Sequence, residues 1–429
     1  MTFLGSALSA EGHRHVLYQT GPGNSRPPNL VSPQICGDMC YTITAMQRRF
    51  LWQRAHWPHL RVDLAQLAGA LSGASFDQGE VAGALRALGT ADLEQASLDT
   101  LADTAIETSQ IEGEQLAPDS VRASLARRLS LAPASPSQSD PRVDGIVAIT
   151  VDAQQQADAP LTKERLLGWH AGLFADAPRS LTVGAWRTVR DDPMQVVSGP
   201  VNARIVHFEA PPAQRIDEEM LAFLDWFETP SDLPPLVRAS IAHLRFLTIH
   251  PFSDGNGRIA RAIADLRVGR GQRRIAQYVS LSRQIRKERD DYYRAIEGAQ
   301  RGDVDVTAWA QWFIECYRRS MSGTLRSIDG LMHASRFWGE HRDVEINARQ
   351  RRVLARYLAG DFEGWLNSRR YAAIAKASPD TAQRDLADLV DKRILVRNGG
   401  KARKTSYRLQ ERFDPHRRDD VDGAPESIE

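Results

Sequence analysis

Residues 250–261 read HPFSDGNGRIAR, and the meaning of the surrounding chain follows from this stretch. His250 ends LVRASIAHLRFLTI, an apolar run in which Ile241, Leu244 and Leu247 recur at helical spacing. Asp254 offers a hard carboxylate oxygen suited to Mg²⁺, an ion that keeps several waters and binds through one carboxylate plus substrate phosphates. Gly255-Asn256-Gly257 can take the backbone angles that turn successive N–H groups toward one point, an anion nest. The helix RIARAIADL starts at once, so its free N–H groups and positive end face the same point. Arg258 and Arg261 lie three apart, on one face, where guanidinium groups can grip phosphate oxygens. A Gly-Asn-Gly turn by itself marks only a turn. A base, a carboxylate, a nest and two arginines at one loop–helix join mark a nucleotide phosphate site. Gly400-Lys401 is no rival, because it lacks the spaced upstream glycine and following Ser/Thr of a P-loop.

Outward from this loop the chain is patterned for helices. LTKERLLGWHAGLF, IDEEMLAFLDWFE, SLSRQIRKERDDYYRAIEGAQ and VTAWAQWFIECYRRSM repeat apolar residues at three- and four-residue spacing. VSGPVNARIVHFEAPP (197–212) breaks that period: β-branched residues bounded by Gly199-Pro200 and Pro211-Pro212 predict a short hairpin. Helical spacing also covers most of 41–131, while APASPSQSDPRVD (132–144) reads as a loop. Beyond 345, VLARYLAG, SRRYAAIAK and TAQRDLADLVDKRIL predict three short helices. VRNGGKARKTSYRL then predicts a hairpin turning at Gly399-Gly400, the order of a winged helix.

HPFSDGNGRIAR resembles the Fic motif, HPFx(D/E)GN(G/K)RxxR, without departure, and the resemblance covers at least residues 100–325. It implies a mainly α protein: a helical Fic fold with a β-hairpin flap, preceded by a helical domain and followed by a winged helix-turn-helix. The implied chemistry is transfer of AMP from ATP to a Ser, Thr or Tyr hydroxyl of a protein. His250 would be the base and Asp254 the Mg²⁺ carboxylate. Ser253, Asp254, Gly255, Asn256, Gly257, Arg258, Arg261, Tyr293 and Gln300 would bind ATP. Arg204, Ile205, Val206 and His207 would form the flap that registers the target by strand addition. TSQIEG (108–113) fits the family's inhibitory signature [S/T]xxxE[G/N], which implies that Glu112 pairs with Arg261 and obstructs the γ-phosphate. Two further readings stand beside this one: removal of AMP by the same site, with Glu112 orienting water, and a nucleotide-sensing regulator. The intact His250 argues against the last, since binding alone needs no base there.

The domains expected are a poorly ordered segment (1–40), a helical N-terminal domain with the inhibitory helix (41–144), the Fic domain (145–325), a linker (326–345), the winged helix (346–412) and a tail (413–429). From Leu366 to Arg408 there are 11 Lys/Arg against 4 Asp/Glu, a net +7 in a chain whose formal charge is +1. Thr381, Gln383 and Arg384 would open a recognition helix, with Lys401, Arg403 and Lys404 on the wing, so the module serves either duplex DNA or a protein partner. A homodimer is a family expectation. Three cysteines among 429 residues cannot build a disulfide framework, and Cys36-x3-Cys40 lacks the second ligand pair of a zinc site. No apolar run approaches the ~20 residues that cross a bilayer, and no basic n-region precedes an apolar core. These features predict a cytoplasmic protein.

Overall fold

The computed structural model describes residues 17–18, 50–130, 140–178, 181–199, 204–358, 365–398, 405–410 and 413. The expectations for most of 1–40, for the Gly399-Gly400 turn, for Lys401, Arg403 and Lys404 and for nearly all of the 413–429 tail lie outside these residues. The described chain is mainly helical, as the periodicity predicted. It divides into two compact units, residues 1–82 with 97–322, and residues 83–96 with 323–429.

In chain order the elements are β1 (Leu17–Tyr18), α1 (Leu64–Arg86), α2 (Thr90–Ile111), α3 (Pro118–Arg128), α4 (Pro141–Gln155), α5 (Lys163–Leu173), β2 (Gln195–Ser198), β3 (Ile205–Glu209), α6 (Ile216–Glu228), α7 (Pro235–Ile249), α8 (Asn256–Ala276), α9 (Leu281–Lys287), α10 (Arg289–Arg301), α11 (Thr307–Glu340), α12 (Ala348–Leu358), α13 (Ser368–Ala375), α14 (Pro379–Asp391), β4 (Leu395–Arg397) and β5 (Tyr407–Leu409). The helix starts follow simple chemistry. Asp140, Thr162, Ser280, Asn367 and Ser378 each accept a first-turn backbone N–H at their helix N-termini.

The first unit is built around α7, in which every residue from Leu236 to Ile249 is buried. It packs against α8, and α4 and α5 pack on α8 in turn. A helix buried all round occupies the centre of a bundle, so the loop leaving α7 is held by the whole unit. The expected hairpin is present as antiparallel β2 and β3, and β1 adds to the other side of β2. Residues 326–340, expected as linker, are the second half of α11; nothing between Thr307 and Glu340 is a proline, and Gly323, Gly330 and Gly339 are tolerated.

The second unit closes its own core with Phe337, Leu354, Tyr357, Tyr371, Leu386 and Leu409 among others. α12, α13 and α14 precede the antiparallel pair β4–β5, and Leu366 bridges to Tyr407. Asp385 ties the helices together: it accepts from Arg349 Nε at 2.9 Å and from the Tyr371 hydroxyl at 3.0 Å. Among the described residues no helix is long and apolar enough to cross a membrane.

Candidate functional site

The loop at 250–255 is shaped before any ligand arrives. His250 caps α7 in the left-handed region (φ 53°, ψ 58°), its N–H donating to Phe246 O at 2.9 Å. Pro251 then prevents the helix from continuing. Phe252 is the anchor: it is fully buried, stacks on His170 with centroids 4.1 Å apart, and meets Trp186 at 4.8 Å. Gly255 returns the chain to helix at φ 78°, where a Cβ would press on the Phe174 ring at 2.8 Å. Both the angle and the contact require glycine there.

The Asn256 side chain serves the loop. It is buried and spends both polar ends on Phe252, accepting from N–H at 3.0 Å and donating to C=O at 2.8 Å. Gly255 N–H is likewise taken, by Asp254 Oδ1 at 2.5 Å. That leaves the backbone N–H groups of Asn256, Gly257 and Arg258, the first turn of α8, which a helix cannot satisfy internally. Near them, three buried donors make no hydrogen bond among the described residues: Ser253 Oγ, Arg258 Nε and Arg261 Nη1. Buried polar atoms without partners are rare, and three around one loop are what an oxygen-rich anion would satisfy.

His250 lies deep in the loop. Its Nδ1 faces Leu247 O at 3.3 Å. A carbonyl only accepts, so Nδ1 carries the proton and the lone pair is on Nε2. Burial first, and the neighbouring Arg187 charge second, lower its pKa to about 3, so the imidazole is neutral throughout the physiological range. Arg187 had no signal in the sequence, yet it fixes this corner: Nε donates to His250 O at 2.8 Å, and its own N–H donates to Pro251 O at 2.9 Å. Nη1 meets Asp192 Oδ1 at 2.6 Å, which compensates part of the buried charge.

Two clefts flank the loop. The first, about 90 Å³, gathers His250, Gly257, Glu112, Tyr293, Gln300 and, from the hairpin, Val196, Val197, Ser198 and His207. The second, about 550 Å³, holds Ser253, Asp254 and Arg258 with Glu114 and Asp176. Of the expected site residues, Glu112, His207, His250, Gly257, Tyr293 and Gln300 therefore line the first cleft, and Ser253, Asp254 and Arg258 the second. Arg204, Ile205 and Val206, by contrast, are exposed and line neither cleft. Asp254 has its carboxyl pulled upward chiefly by burial, offset by Arg258. Among the described residues no three His, Cys, Asp or Glu cluster as a ready metal cage.

Glu112 and Arg261 meet as the signature implied, Oε1 to Nη2 at 2.8 Å, with the guanidinium 1% exposed. Two partners went unforeseen. Thr108 Oγ1 and O accept from Arg261 Nε and Nη2 at 2.7 and 2.9 Å, and Glu114 pairs with Arg258 Nη1 at 3.0 Å. The end of α2 is pinned through Ile111 O, which accepts from Arg289 Nε at 2.9 Å and the Tyr293 hydroxyl at 3.4 Å. Thr108 stood inside the quoted signature and could have been found there; Glu114, Arg187 and Arg289 could not.

Against known proteins, residues 160–267 match the Fic/DOC family, and residues 50–131 match a domain of unknown function, DUF4172. The protein adenylyltransferase Fic of Nematostella vectensis is 31% identical over 120 residues, 27% of this chain and 26% of that protein. The protein adenylyltransferase fic-1 of Caenorhabditis elegans is 43% identical over 51 residues, 11% of this chain and 10% of that protein. The chain thus spans about a quarter or less of these relatives' length. Among solved structures, a Fic family protein from Desulfovibrio desulfuricans aligns over 83% of this chain and 99% of its own, at 21% identity and a TM-score of 0.47.

Proposed function

We propose that this chain, which carries a Fic/DOC family domain over residues 160–267, is a protein adenylyltransferase restrained by Glu112. The observation that carries the reading is one cleft containing a neutral histidine, the first turn of α8 and the brake carboxylate together. The three unpartnered donors at Ser253, Arg258 and Arg261 support it, because a triphosphate supplies acceptors for all three.

The target hydroxyl attacks the α-phosphorus of ATP. An oxygen–phosphorus bond forms, the bond from that phosphorus to the bridging oxygen breaks, and pyrophosphate leaves with the electron pair. The hydroxyl proton goes to Nε2 of His250, the nitrogen left unprotonated by the Nδ1 contact to Leu247. The N–H groups at the start of α8 and the guanidinium groups of Arg258 and Arg261 stabilise charge on the leaving group, so most of the catalysis is positioning and electrostatics. Asp254, which lines the larger cleft with Ser253, suits Mg²⁺, which takes one carboxylate and completes its shell with water and phosphate. Bound there, the ion would neutralise phosphate charge.

Glu112 restrains this site by holding Arg261 and lying against Gly257, where even a Cβ would collide with its Oε1. Incubation with labelled ATP tests both halves: Glu112→Gly labels protein faster than wild type, and His250→Ala labels nothing in either background. Equal labelling of wild type and Glu112→Gly would remove the brake; labelling by His250→Ala would remove the mechanism. Since Glu112 shares the cleft with His250, removal of AMP is the second reading. In that case AMP release from a modified protein would be lost, not gained, on Glu112 substitution.

For the second unit the reading is duplex DNA, met by the exposed Gln383 and Arg384 near the Ser378-capped start of α14. Retention on DNA that falls steeply with salt and weakens in Arg384→Glu is the expected result; salt-independent retention would refute it.

A further inference from the structure

Three polar side chains at the hairpin are linked in a row that the transfer chemistry does not use. Ser198 Oγ, at the end of β2, meets His207 Nε2 on β3 at 2.6 Å. His207 Nδ1 meets Glu297 Oε2 on α10 at 3.0 Å. A carboxylate only accepts, so in the neutral imidazole Nδ1 carries the proton and Nε2 keeps its lone pair. The Ser198 hydroxyl then donates to that lone pair. The Glu297 carboxylate is itself held, because its other oxygen, Oε1, pairs with Arg301 Nη2 at 3.2 Å.

The hairpin is fixed to α10 without these side chains. Arg301 Nη2 and Nε donate to the Val206 and His207 carbonyls at 2.8 and 3.0 Å. His207 is the extra residue of a β-bulge, since Val197 pairs with Val206 and Val196 with Phe208. A bulge re-aims a side chain, and here the ring lies between Ser198 and Glu297. All three groups line the cleft that also contains His250. The His207 and Glu297 side chains are 19% and 27% exposed, sheltered from bulk water yet open to a small substrate.

We propose that Ser198, His207 and Glu297 form a second catalytic centre, an esterase triad acting on small carboxylic esters. Nucleophile, base and orienting carboxylate are recognised by geometry and role, not by sequence order. Val196, Val197, Phe208, Leu247 and Ile296 give the cleft an apolar wall, and its volume of about 90 Å³ suits a short acyl group. Gly257, whose N–H belongs to the unsatisfied first turn of α8, lines the same cleft. A donor of the kind that stabilises an oxyanion is therefore on its wall. In the step, Ser198 Oγ bonds to the ester carbonyl carbon and its proton passes to Nε2 of His207. The bond from that carbon to the alcohol oxygen breaks, and the departing alkoxide takes the proton from Nε2. Water then attacks the acyl-serine by the same route, releasing the carboxylic acid and restoring the Ser198 hydroxyl.

The test uses the full-length chain without ATP, so its outcome is independent of the transferase reading. The probe is a fluorophosphonate, which phosphonylates base-activated hydroxyls with loss of fluoride, followed by peptide mass spectrometry. The expected label is on Ser198, accompanied by turnover of p-nitrophenyl butyrate that Ser198→Ala abolishes. His207→Gln should slow both reactions about 10²–10⁴-fold. Glu297→Gln should cost a similar factor, because the new amide can donate to Nδ1 and force the proton onto Nε2. A wild-type chain with Ser198 unlabelled overturns the proposal, whatever the variants do. So does labelling of His207→Gln at the wild-type rate, ester turnover that survives Ser198→Ala, or label on Ser198 with no ester turnover.

Discussion

Glu112→Ala should make the protein both less stable and more active, and the size of each effect follows from Arg261. The guanidinium is 1% exposed and the Glu112 side chain 14%. Removing one partner of a buried pair costs about 3–5 kcal/mol when the remaining charge is left unpaired. Here it is not left bare, because Thr108 keeps accepting from Nε and Nη2. The expected loss is therefore smaller, about 1–3 kcal/mol. At about 2–4 °C per kcal/mol for a unit of this size, the melting temperature should fall by several degrees. ATP should reverse the sign: at a hundredfold excess over its dissociation constant it contributes about 2.7 kcal/mol. Wild type should show a smaller ATP shift, because the nucleotide must first displace the carboxylate. Differential scanning fluorimetry with and without ATP reads both numbers, and labelled ATP reads the activity. Equal melting, with equal ATP shifts in the two proteins, would refute the reasoning even if labelling rose.

Thr108→Val removes the Oγ1 acceptor of Arg261 Nε but leaves Glu112 in place. It should cost about 1 kcal/mol and raise labelling less than Glu112→Ala does; labelling above that of the Glu112 variant would place the brake elsewhere. Gly255→Ala forces a side chain to φ 78° and onto Phe174. About 1–2 kcal/mol of left-handed strain, plus the ring contact, should lower both the melting temperature and ATP affinity, and an unchanged ATP titration would refute it. His243 is held near pKa 3, by burial first and by Arg261 second. Folded, it stays neutral while the unfolded chain takes up a proton, so its contribution is complete above pH 6.5 and is lost as pH falls toward 3. His250 and His170, at about 3 and about 4, act in the same direction. Asp265, raised to about 7 by burial, opposes them as pH falls below 7. His243→Gln removes one of the three, so urea-unfolding free energies between pH 6 and 4 should fall less steeply by about 1.4 kcal/mol per pH unit. An unchanged slope would refute that assignment.

The helices, the hairpin and the loop at 250–261 were legible because each has a local cause: spacing, caps, and the Pro251, Gly255 and Gly257 punctuation. The Glu112–Arg261 pair was legible only through the resemblance, since nothing in either neighbourhood specifies a partner 149 residues away. The side-chain role of Asn256 was not legible, because a loop asparagine looks alike whether it binds a ligand or closes its own turn. Here the side chain closes the turn on Phe252, and the expected contribution of its backbone N–H is unaffected. Arg187 illustrates the other limit. An arginine in AWRTVR reads as surface, and its burial beside His250 depends on Asp192 and on the carbonyls of His250 and Pro211, which are adjacent only after folding. The hairpin was found, but the hold of Arg301 on the Val206 and His207 carbonyls was not, because that arginine lies about a hundred residues beyond the hairpin.

Glu112 follows the last residue of α2, where a negative charge is disfavoured by about 0.3–1 kcal/mol against the helix dipole. It lies instead against Gly257 in the first turn of α8, where the dipole and the free N–H groups favour an anion. On the transferase reading, the carboxylate at this position is an internal substitute for phosphate, held at a site that would attract phosphate anyway. ATP and Glu112 would then compete for the same electrostatics, and ATP brings more negative charge than one carboxylate. The carbonyl of Ile111 stays tied to Arg289 and Tyr293 from α10, contacts that do not involve the Glu112 side chain. On that reading, release of the brake would require only that the carboxylate swing off Arg261, with α2 left docked. A switch of that kind should be fast and graded by anion strength, with triphosphate displacing Glu112 more effectively than monophosphate.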